Sequence, residues 1–185
     1  MQNFLFRVYC YVDKYNLSDL SKLGRNINII YRNYESIDHL KNLKKLSVFC
    51  KKNGNELYAS NNIKLSIRLK LNGVYIPSFN NKLNYCGSFS LPKKFKIIGS
   101  AHNIIEIKIK QLQGCKAIFI SPIFFNPKNR KYLGISKFNL LTLHTASKII
   151  ALGGLNQKNI KKLRLTRSIG LAGISLFKKK APLNL

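Results

Sequence analysis

Short apolar runs alternate with longer mixed segments along the chain, and this alternation predicts eight β-strands. The runs lie at residues 4–12, 28–32, 56–60, 73–78, 96–100, 115–120, 148–155 and 170–177. Most segments between them are long enough for a helical crossover, which is the connection that parallel strands need. We therefore expect one α/β domain over residues 1–185 with the order of an eight-stranded (β/α)8 barrel. Few residues follow the last run, so the final helix should be short or missing.

The clearest helical period follows the second apolar run. Apolar residues recur at three-residue steps from Ile37 to Leu46. Asn53-Gly54 should end this helix, because both residues tolerate the left-handed conformation. A second helix-like stretch, residues 156–167, separates the last two runs.

Two connecting segments carry a conflicting pattern. Apolar and polar residues alternate over 63–71 and 105–109, and a period of two taken alone indicates a strand. We nevertheless predict helices there, because Asn62 and Asn103 are suitable N-caps and a parallel barrel requires a crossover at both places. Segment 80–95 has no helical period and is expected to be a loop with one short turn.

The charge balance is extreme, with 33 Lys and Arg against six Asp and Glu and a formal net charge of +27. Lysine is spread almost evenly and is accompanied by much Asn and Ile, which indicates compositional bias more than a selected nucleic-acid patch. A basic surface still suits an anionic, phosphorylated ligand. Because carboxylates are so few, we expect neither a carboxylate-rich metal centre nor a paired-acid hydrolase.

The sequence also indicates where in the cell the protein is located. It contains no apolar run of about 18 residues, the length that a membrane span needs. The apolar start at residues 4–12 lacks a basic leader and a cleavage site. We therefore expect no membrane contact and a cytoplasmic protein. The four cysteines lie far apart without metal-type spacing and are expected to be free and buried.

Two glycine-containing segments near the C-terminus carry the most specific chemical signal. Gly153-Gly154 follows the seventh run, and the eighth run reads Gly-Leu-Ala-Gly-Ile-Ser from residue 170. Backbone amides that glycine exposes at the end of a strand can bind phosphate without a dedicated cation. In eight-stranded barrels the loops after strands seven and eight frequently form such a site. Gly-Gly alone is also a common turn, so the second segment is what favours phosphate binding.

A series of further short motifs accompanies these glycines from the first strand to the last. They are Tyr31-Arg32, Gly73-Val74-Tyr75-Ile76, residues 97–102 (IIGSAH), Gly114-Cys115, Ser121-Pro122-Ile123-Phe124, Leu133-Gly134, residues 151–154 (ALGG) and residues 170–175 (GLAGIS). In number, order and spacing they resemble the thiamine phosphate synthase/TenI family. The resemblance implies a TIM barrel that joins a pyrimidine pyrophosphate to a thiazole phosphate or, in another branch, isomerises the thiazole phosphate by proton transfer.

The resemblance implies that the thiazole-phosphate end of the site is retained. Gly153, Gly154, Ile174 and Ser175 match the family's phosphate-binding positions. Backbone amides and one hydroxyl supply the chemistry of this set, so it tolerates sequence change elsewhere.

A Ser-x-His stretch at the mouth of strand five also matches the family. It implies a substrate contact for Ser100 and a catalytic role for His102. A single histidine at such a place is more often a loop residue than a catalyst, but its position at the C-terminal face of the barrel favours function.

The pyrophosphate and metal end departs from the family's pattern. Arg32 remains after strand two to clamp a pyrophosphate, and Tyr34 follows it as a candidate substrate contact. Asn61 stands where the family carries the acid that holds Mg²⁺, and Tyr75 replaces a histidine. Mg²⁺ belongs to the family's chemistry, but its usual acidic ligands are absent from this chain.

The segment after strand six departs as well. Asn126 and Lys128 stand in place of the family's Thr-x-Thr-Lys, with positive charge kept at Lys128 for a catalytic role. The proton-transferring histidine of the isomerase branch is replaced by Pro122.

Three hypotheses of function follow from the sequence. The first is a divergent thiamine phosphate synthase, a transferase without the usual metal-binding acids. The second is a family member that binds a thiazole phosphate but has lost the transfer, and acts as a binding or regulatory protein or on another step. The third is a basic nucleic-acid-binding protein, which lacks support from any RNA-binding motif. Whether the chain forms a homo-oligomer, with a partner subunit covering the side left open by the last helix, stays open.

Overall fold

Eight parallel strands close into a barrel in the computed structural model, which describes residues 6–25, 27–33, 38–127, 131–143 and 145–173. The strands are β1 (Arg7–Val12), β2 (Ile27–Tyr31), β3 (Leu57–Ser60), β4 (Gly73–Ile76), β5 (Lys96–Ala101), β6 (Ala117–Ile120), β7 (Lys148–Leu152) and β8 (Gly170–Gly173). Each strand pairs in parallel with the next, and β8 pairs with β1. The predicted (β/α)8 TIM barrel is therefore confirmed.

Helices occupy most of the connections between the strands. They are α1 (Leu17–Leu20), α2 (His39–Asn53), α3 (Ile63–Arg68), α4 (Ile104–Leu112), α5 (Gly134–Thr142) and a 3₁₀ helix at Ile160–Leu165. The last is the predicted helical stretch between β7 and β8, in a tighter and shorter form. The prediction that the final helix is short or missing concerns residues 174–185, which lie outside the described residues.

The helix ends explain why α3 and α4 form in spite of their alternating pattern. Asn62 Oδ1 accepts a hydrogen bond from the Leu65 amide at 3.0 Å. Asn103 Oδ1 accepts one from the Glu106 amide at 2.9 Å. These caps satisfy amides that the helix itself leaves unpaired. Gly54, with φ of 73°, ends α2 as predicted.

The helical period of α4 selects different core residues from those that alternation would select. Ile107 and Lys110 are buried on one face, whereas Ile105 is 68% exposed. Successive residues of a helix are about 100° apart, so residues 105 and 107 lie on different faces. A lysine thus occupies a core position on this helix.

No helix forms in the long connection between β4 and β5, residues 77–95, all of which the structure describes. The segment consists of turns, in agreement with the predicted loop, although it contains more than one turn. Its contacts with α3 and α4 matter for the site described below.

Aromatic side chains fill the barrel interior in two layers. Tyr9 and Tyr58 lie toward the N-terminal ends of the strands, and Tyr11 and Tyr75 lie toward the C-terminal ends. Phe119 packs edge-on against Tyr9 and Tyr75, with ring centroids 4.9 Å and 5.8 Å apart. The interior is therefore a packed core whose C-terminal face carries the loops available for binding.

Candidate active site at the C-terminal mouth of the barrel

The glycine pair after β7 adopts a backbone that other residues rarely take. Gly153 and Gly154 have φ of 88° and 71°, both in the left-handed region. A Cβ at Gly154 would lie 2.2 Å from the carbonyl oxygen of Phe124, and one at Gly153 would lie 2.8 Å from Cβ of Pro122. Conformation and space therefore both require glycine at these two positions.

Neighbouring segments fix this turn in place. The amides of Ile123 and Phe124 donate to the carbonyl oxygens of Leu152 and Gly153 at 3.0 and 3.2 Å. Asn159 Nδ2 donates to the Gly154 carbonyl at 2.8 Å. Toward the other described residues the Gly153 and Gly154 amides donate no hydrogen bond. The carbonyls of the turn are satisfied, and its amides, which have no acceptor within the described ranges, can donate to an anion.

Arg32 lies at the end of β2, where its guanidinium packs over the ring of Tyr11 at 5.2 Å from the centroid. Tyr11 in turn donates from its hydroxyl to the Tyr75 hydroxyl at 3.2 Å. This stacking holds a permanent cation over the aromatic layer of the barrel mouth. Tyr75 itself is 3% exposed and packed against Tyr11 and Phe119.

Asn61 follows β3 with φ of 53°, a conformation that asparagine tolerates better than most residues. Its amide donates to the Tyr75 carbonyl at 2.8 Å, and its Oδ1 accepts a hydrogen bond from Asn80 Nδ2 at 2.7 Å. The residue is thus anchored to β4 and to the β4–β5 connection. Asn61 also lines a cavity of about 630 Å³ that opens beside the mouth.

Ser100 and His102 end up in different surroundings. Ser100 is buried and lies two residues beyond Ile98, so the alternation of the strand turns it toward the barrel interior. His102 is exposed, and its Nδ1 lies 3.0 Å from Oε2 of Glu106. Glu106 also accepts from the His102 amide, so this histidine takes part in the start of α4. Its predicted catalytic role stays a prediction.

Of the remaining predicted site residues, only Asn126 lies within the described residues. Asn126 lies in the loop after β6, the loop that packs on the Gly153-Gly154 turn. Tyr34, Lys128, Ile174 and Ser175 lie outside the described residues.

Sequence reasoning missed three residues of this region. Tyr11 supports Arg32, Asn80 binds Asn61, and Lys110 reaches Asn80 from the core. Tyr11 could have been found from its inward register on β1. Lys110 carried no such signal, because a lysine in a basic chain is expected at the surface.

Lys110 is fully buried and has no carboxylate hydrogen-bonded to it among the residues that the structure describes. Its Nζ donates to the Asn80 carbonyl at 2.7 Å and to Gln113 Oε1 at 2.9 Å. Burial lowers the pKa of Lys110, and the nearby Cys115 and Glu106 offset part of that effect. Gln113 Nε2 donates to the same Asn80 carbonyl at 2.9 Å. Two side chains of the α4 region therefore hold the β4–β5 connection from behind.

The residues around the mouth do not fit a Mg²⁺ site of the family type. Mg²⁺ prefers oxygen ligands, and Asn61 stands where the family has its acid. The Oδ1 of Asn61 is already engaged by Asn80. Within the described ranges no group of three or more His, Cys, Asp or Glu side chains could hold a metal ion.

The cysteines are free and buried, as predicted. Burial raises the pKa of the Cys50 and Cys115 thiols to about 12, so neither forms a reactive thiolate at neutral pH. The helices that the structure describes are all too short or too polar to cross a membrane.

Comparison with known proteins agrees with this geometry. A family model described as thiamine monophosphate synthase matches residues 22–178. A thiamine-phosphate synthase of Prochlorococcus marinus subsp. pastoris is 31% identical over 130 residues, which is 69% of this chain and 36% of that protein. One from Helicobacter pylori is 27% identical over 143 residues, covering 74% of this chain and 64% of that protein.

A solved structure shows the same fold. Thiamine phosphate pyrophosphorylase from Pyrococcus furiosus superposes with a TM-score of 0.76 at 15% identity, covering 96% of this chain and 93% of that chain. The chain spans between about a third and two thirds of the curated relatives named above. Because the family model covers most of the sequence, this TIM barrel belongs to the thiamine monophosphate synthase family.

Proposed function

We propose that this chain binds a thiazole phosphate at the Gly153-Gly154 turn and joins it to a pyrimidine pyrophosphate. The observation that carries the proposal is the turn itself, whose left-handed backbone and available amides suit a phosphate at the end of β7. Family membership supports the substrate class. Ile174 and Ser175 would complete the phosphate site in the family's pattern.

The proposed reaction breaks the bond between the pyrimidine methylene carbon and the pyrophosphate oxygen. The thiazole nitrogen supplies the electron pair for the new carbon–nitrogen bond, and pyrophosphate leaves with the electrons of the broken bond. The protein's task is to hold the two substrates in line and to stabilise the charge that develops on the leaving group. Arg32, held over Tyr11 at the mouth, is suited to that second task.

A second candidate function is phosphate binding without transfer. It is favoured by one observation, that Asn61 presents a neutral amide where the family carries its metal-binding acid. Such a protein would bind the thiazole phosphate and leave the pyrimidine pyrophosphate unchanged.

An assay of the purified chain with both substrates separates the two candidates. We expect thiamine phosphate to form and kcat to fall roughly a hundredfold in Arg32→Met, because one preorganised charge contact is worth about that much. Arg25→Met is the matched control, since Arg25 is exposed before β2 begins. Saturable thiazole phosphate binding without turnover would leave the second candidate, and absence of binding would contradict both.

A further inference from the structure

The cavity beside the mouth is lined by polar, cationic and apolar residues. It lies between the start of α3 and the β4–β5 connection and has a volume of about 630 Å³. Its lining residues include the cationic Lys64 and Lys82 and the amide-bearing Asn61 and Asn84. Ile63, Tyr85 and Phe89 add apolar surface. Its lining includes no carboxylate among the residues that the structure describes. The lysine and asparagine side chains suit an anion, and the two positive charges would repel a free metal cation.

The orientation of the two asparagine side chains follows from their partners. The Lys82 amide donates to Asn80 Oδ1 at 3.1 Å, and a backbone N–H can only donate. The oxygen of Asn80 therefore faces Lys82, and its Nδ2 faces Asn61, where it donates to Oδ1 at 2.7 Å. Both amide oxygens are engaged by this chain of bonds.

Because its Oδ1 is engaged, the Asn61 side chain has only its Nδ2 group left for a ligand. Toward the described residues the Asn61 Nδ2 makes no hydrogen bond. A side-chain NH₂ group donates to an anion but cannot ligate Mg²⁺, which takes oxygen ligands. The position that holds a metal in the family is therefore a hydrogen-bond donor here.

Lys110 and Gln113 hold the backbone of Asn80 in place. The buried Nζ of Lys110 and the Nε2 of Gln113 both donate to the Asn80 carbonyl, at 2.7 and 2.9 Å. The backbone of residue 80 cannot move without leaving these donors unpaired in the core, which is costly. A buried ammonium behind Asn80 also disfavours a divalent cation in front of it.

We propose that this cavity is a metal-free anion subsite, in which the Asn61 side-chain NH₂ and the Lys64 and Lys82 ammonium groups bind a diphosphate directly. The substrate class rests on the proposed function, which requires a pyrophosphate at the mouth. The subsite replaces a metal bridge by donors that the β4–β5 connection and α4 hold in place.

The test is the affinity of the intact chain for inorganic pyrophosphate, measured by calorimetry in EDTA and in Mg²⁺. We expect saturable binding in EDTA that Mg²⁺ does not strengthen. Asn61→Asp should weaken binding in EDTA about tenfold to a hundredfold, because a donor to a charged group becomes a like charge. The substitution preserves shape, and aspartate also tolerates positive φ, so the fold should survive.

Asn16→Asp is the matched control, since it adds the same charge at the N-cap of α1 and keeps the cap. Its pyrophosphate affinity should stay close to that of the wild type. Lys64→Met and Lys82→Met locate the ligand, and each should weaken binding several-fold and reduce its salt dependence.

Three results would overturn the subsite: wild-type binding that requires Mg²⁺, an unchanged affinity in Asn61→Asp, or unchanged affinities in both lysine variants. The last result would place pyrophosphate elsewhere, for example at the Gly153-Gly154 turn. The proposed function fails separately, since absence of turnover with the expected pyrophosphate pattern would contradict the transfer and leave the subsite standing.

Discussion

The two ends of the barrel use similar tyrosines in opposite electrostatic settings. At the N-terminal end, Tyr58 donates to Glu56, which also pairs with Lys96. At the C-terminal end, Tyr11 supports the guanidinium of Arg32. Lys96, at the N-terminal end or bottom of the barrel, has a carboxylate partner. Arg32, at the C-terminal end or top, is held by an aromatic face.

This difference suggests that the charged groups at the two ends have different roles, in stability at the bottom and in ligand binding at the top. A neutralised, half-buried ion pair holds strands together but attracts no ligand. A cation supported by aromatic rings keeps its charge available to an anion. We therefore expect substitutions of charged groups at the bottom to change the free energy of unfolding, and substitutions of charged groups at the top to change ligand affinity.

The largest expected effect comes from Gly154→Ala at the top. A Cβ there would lie 2.2 Å from the Phe124 carbonyl oxygen at φ of 71°, so the turn must move. We expect the affinity for inorganic phosphate to fall about a hundredfold, as a preorganised site does when a contact is lost. The free energy of unfolding should fall by about 2–4 kcal/mol in urea titrations.

Gly134→Ala is the control that separates the cost of a strained backbone conformation from the cost of a steric clash. Gly134 has φ of 68°, but no atom lies within 4 Å of the position that a methyl carbon would take, so only the backbone cost of about 1 kcal/mol remains. Phosphate affinity should stay unchanged. Equal losses of affinity in the two variants would break the assignment of the Gly153-Gly154 turn as the phosphate site.

An intermediate effect is expected from Glu56→Gln at the bottom. The residue's contacts to Lys96 and Tyr58 are half-buried and charge-assisted, so the free energy of unfolding should fall by about 1–2 kcal/mol. Ligand affinity should not change. Asp19→Asn is the control, because the Asp19 pair with Lys22 is exposed and 3.9 Å long, and its loss should cost under about 0.5 kcal/mol.

The same pair makes stability depend on pH. Burial alone would raise the pKa of Glu56, but hydrogen bonds from Lys96 and Tyr58 offset this and hold the pKa below its usual value of 4.5. The folded state thus binds the proton less readily than the unfolded state. The stabilisation is present above pH 4.5 and is lost as the pH falls through the folded-state pKa. Unfolding curves of Glu56→Gln should lack this acid-side loss.

The smallest effect is expected from His102→Ala at the edge of the mouth. Its contact with Glu106 is exposed, so the free energy of unfolding should change by less than about 0.5 kcal/mol. The value of kcat is the sharper measurement. An unchanged kcat would assign His102 to the start of α4 alone, and a hundredfold fall would support the catalytic role predicted from the sequence.

The fold could be predicted because its signals are local and repeated. Asn62 and Asn103 cap helices whose apolar pattern alone indicates strands, and the need for crossovers decides between the two. Gly153 and Gly154 were also recognisable, because a glycine pair directly after a buried strand is typical of a tight turn with a left-handed backbone.

The side-chain part of the site was less predictable. The Asn61–Asn80 hydrogen bond joins residues 19 positions apart, and neither amide has a pattern that selects its partner. Lys110 lies on the buried face of α4, three residues after Ile107, whereas Ile105 is exposed. Such contacts depend on how segments pack, and they become visible only when the backbone is known.

The paired side chains of Asn61 and Asn80 are also open to slow chemical change. Asparagine side chains hydrolyse slowly to aspartate in water, so Asn61 or Asn80 could gain a carboxylate without any change in the gene. By the proposed anion subsite, a stored preparation would then hold molecules that bind pyrophosphate less well in EDTA and respond to Mg²⁺. Two samples with one encoded sequence would differ in metal dependence, and intact mass would record which of them had aged.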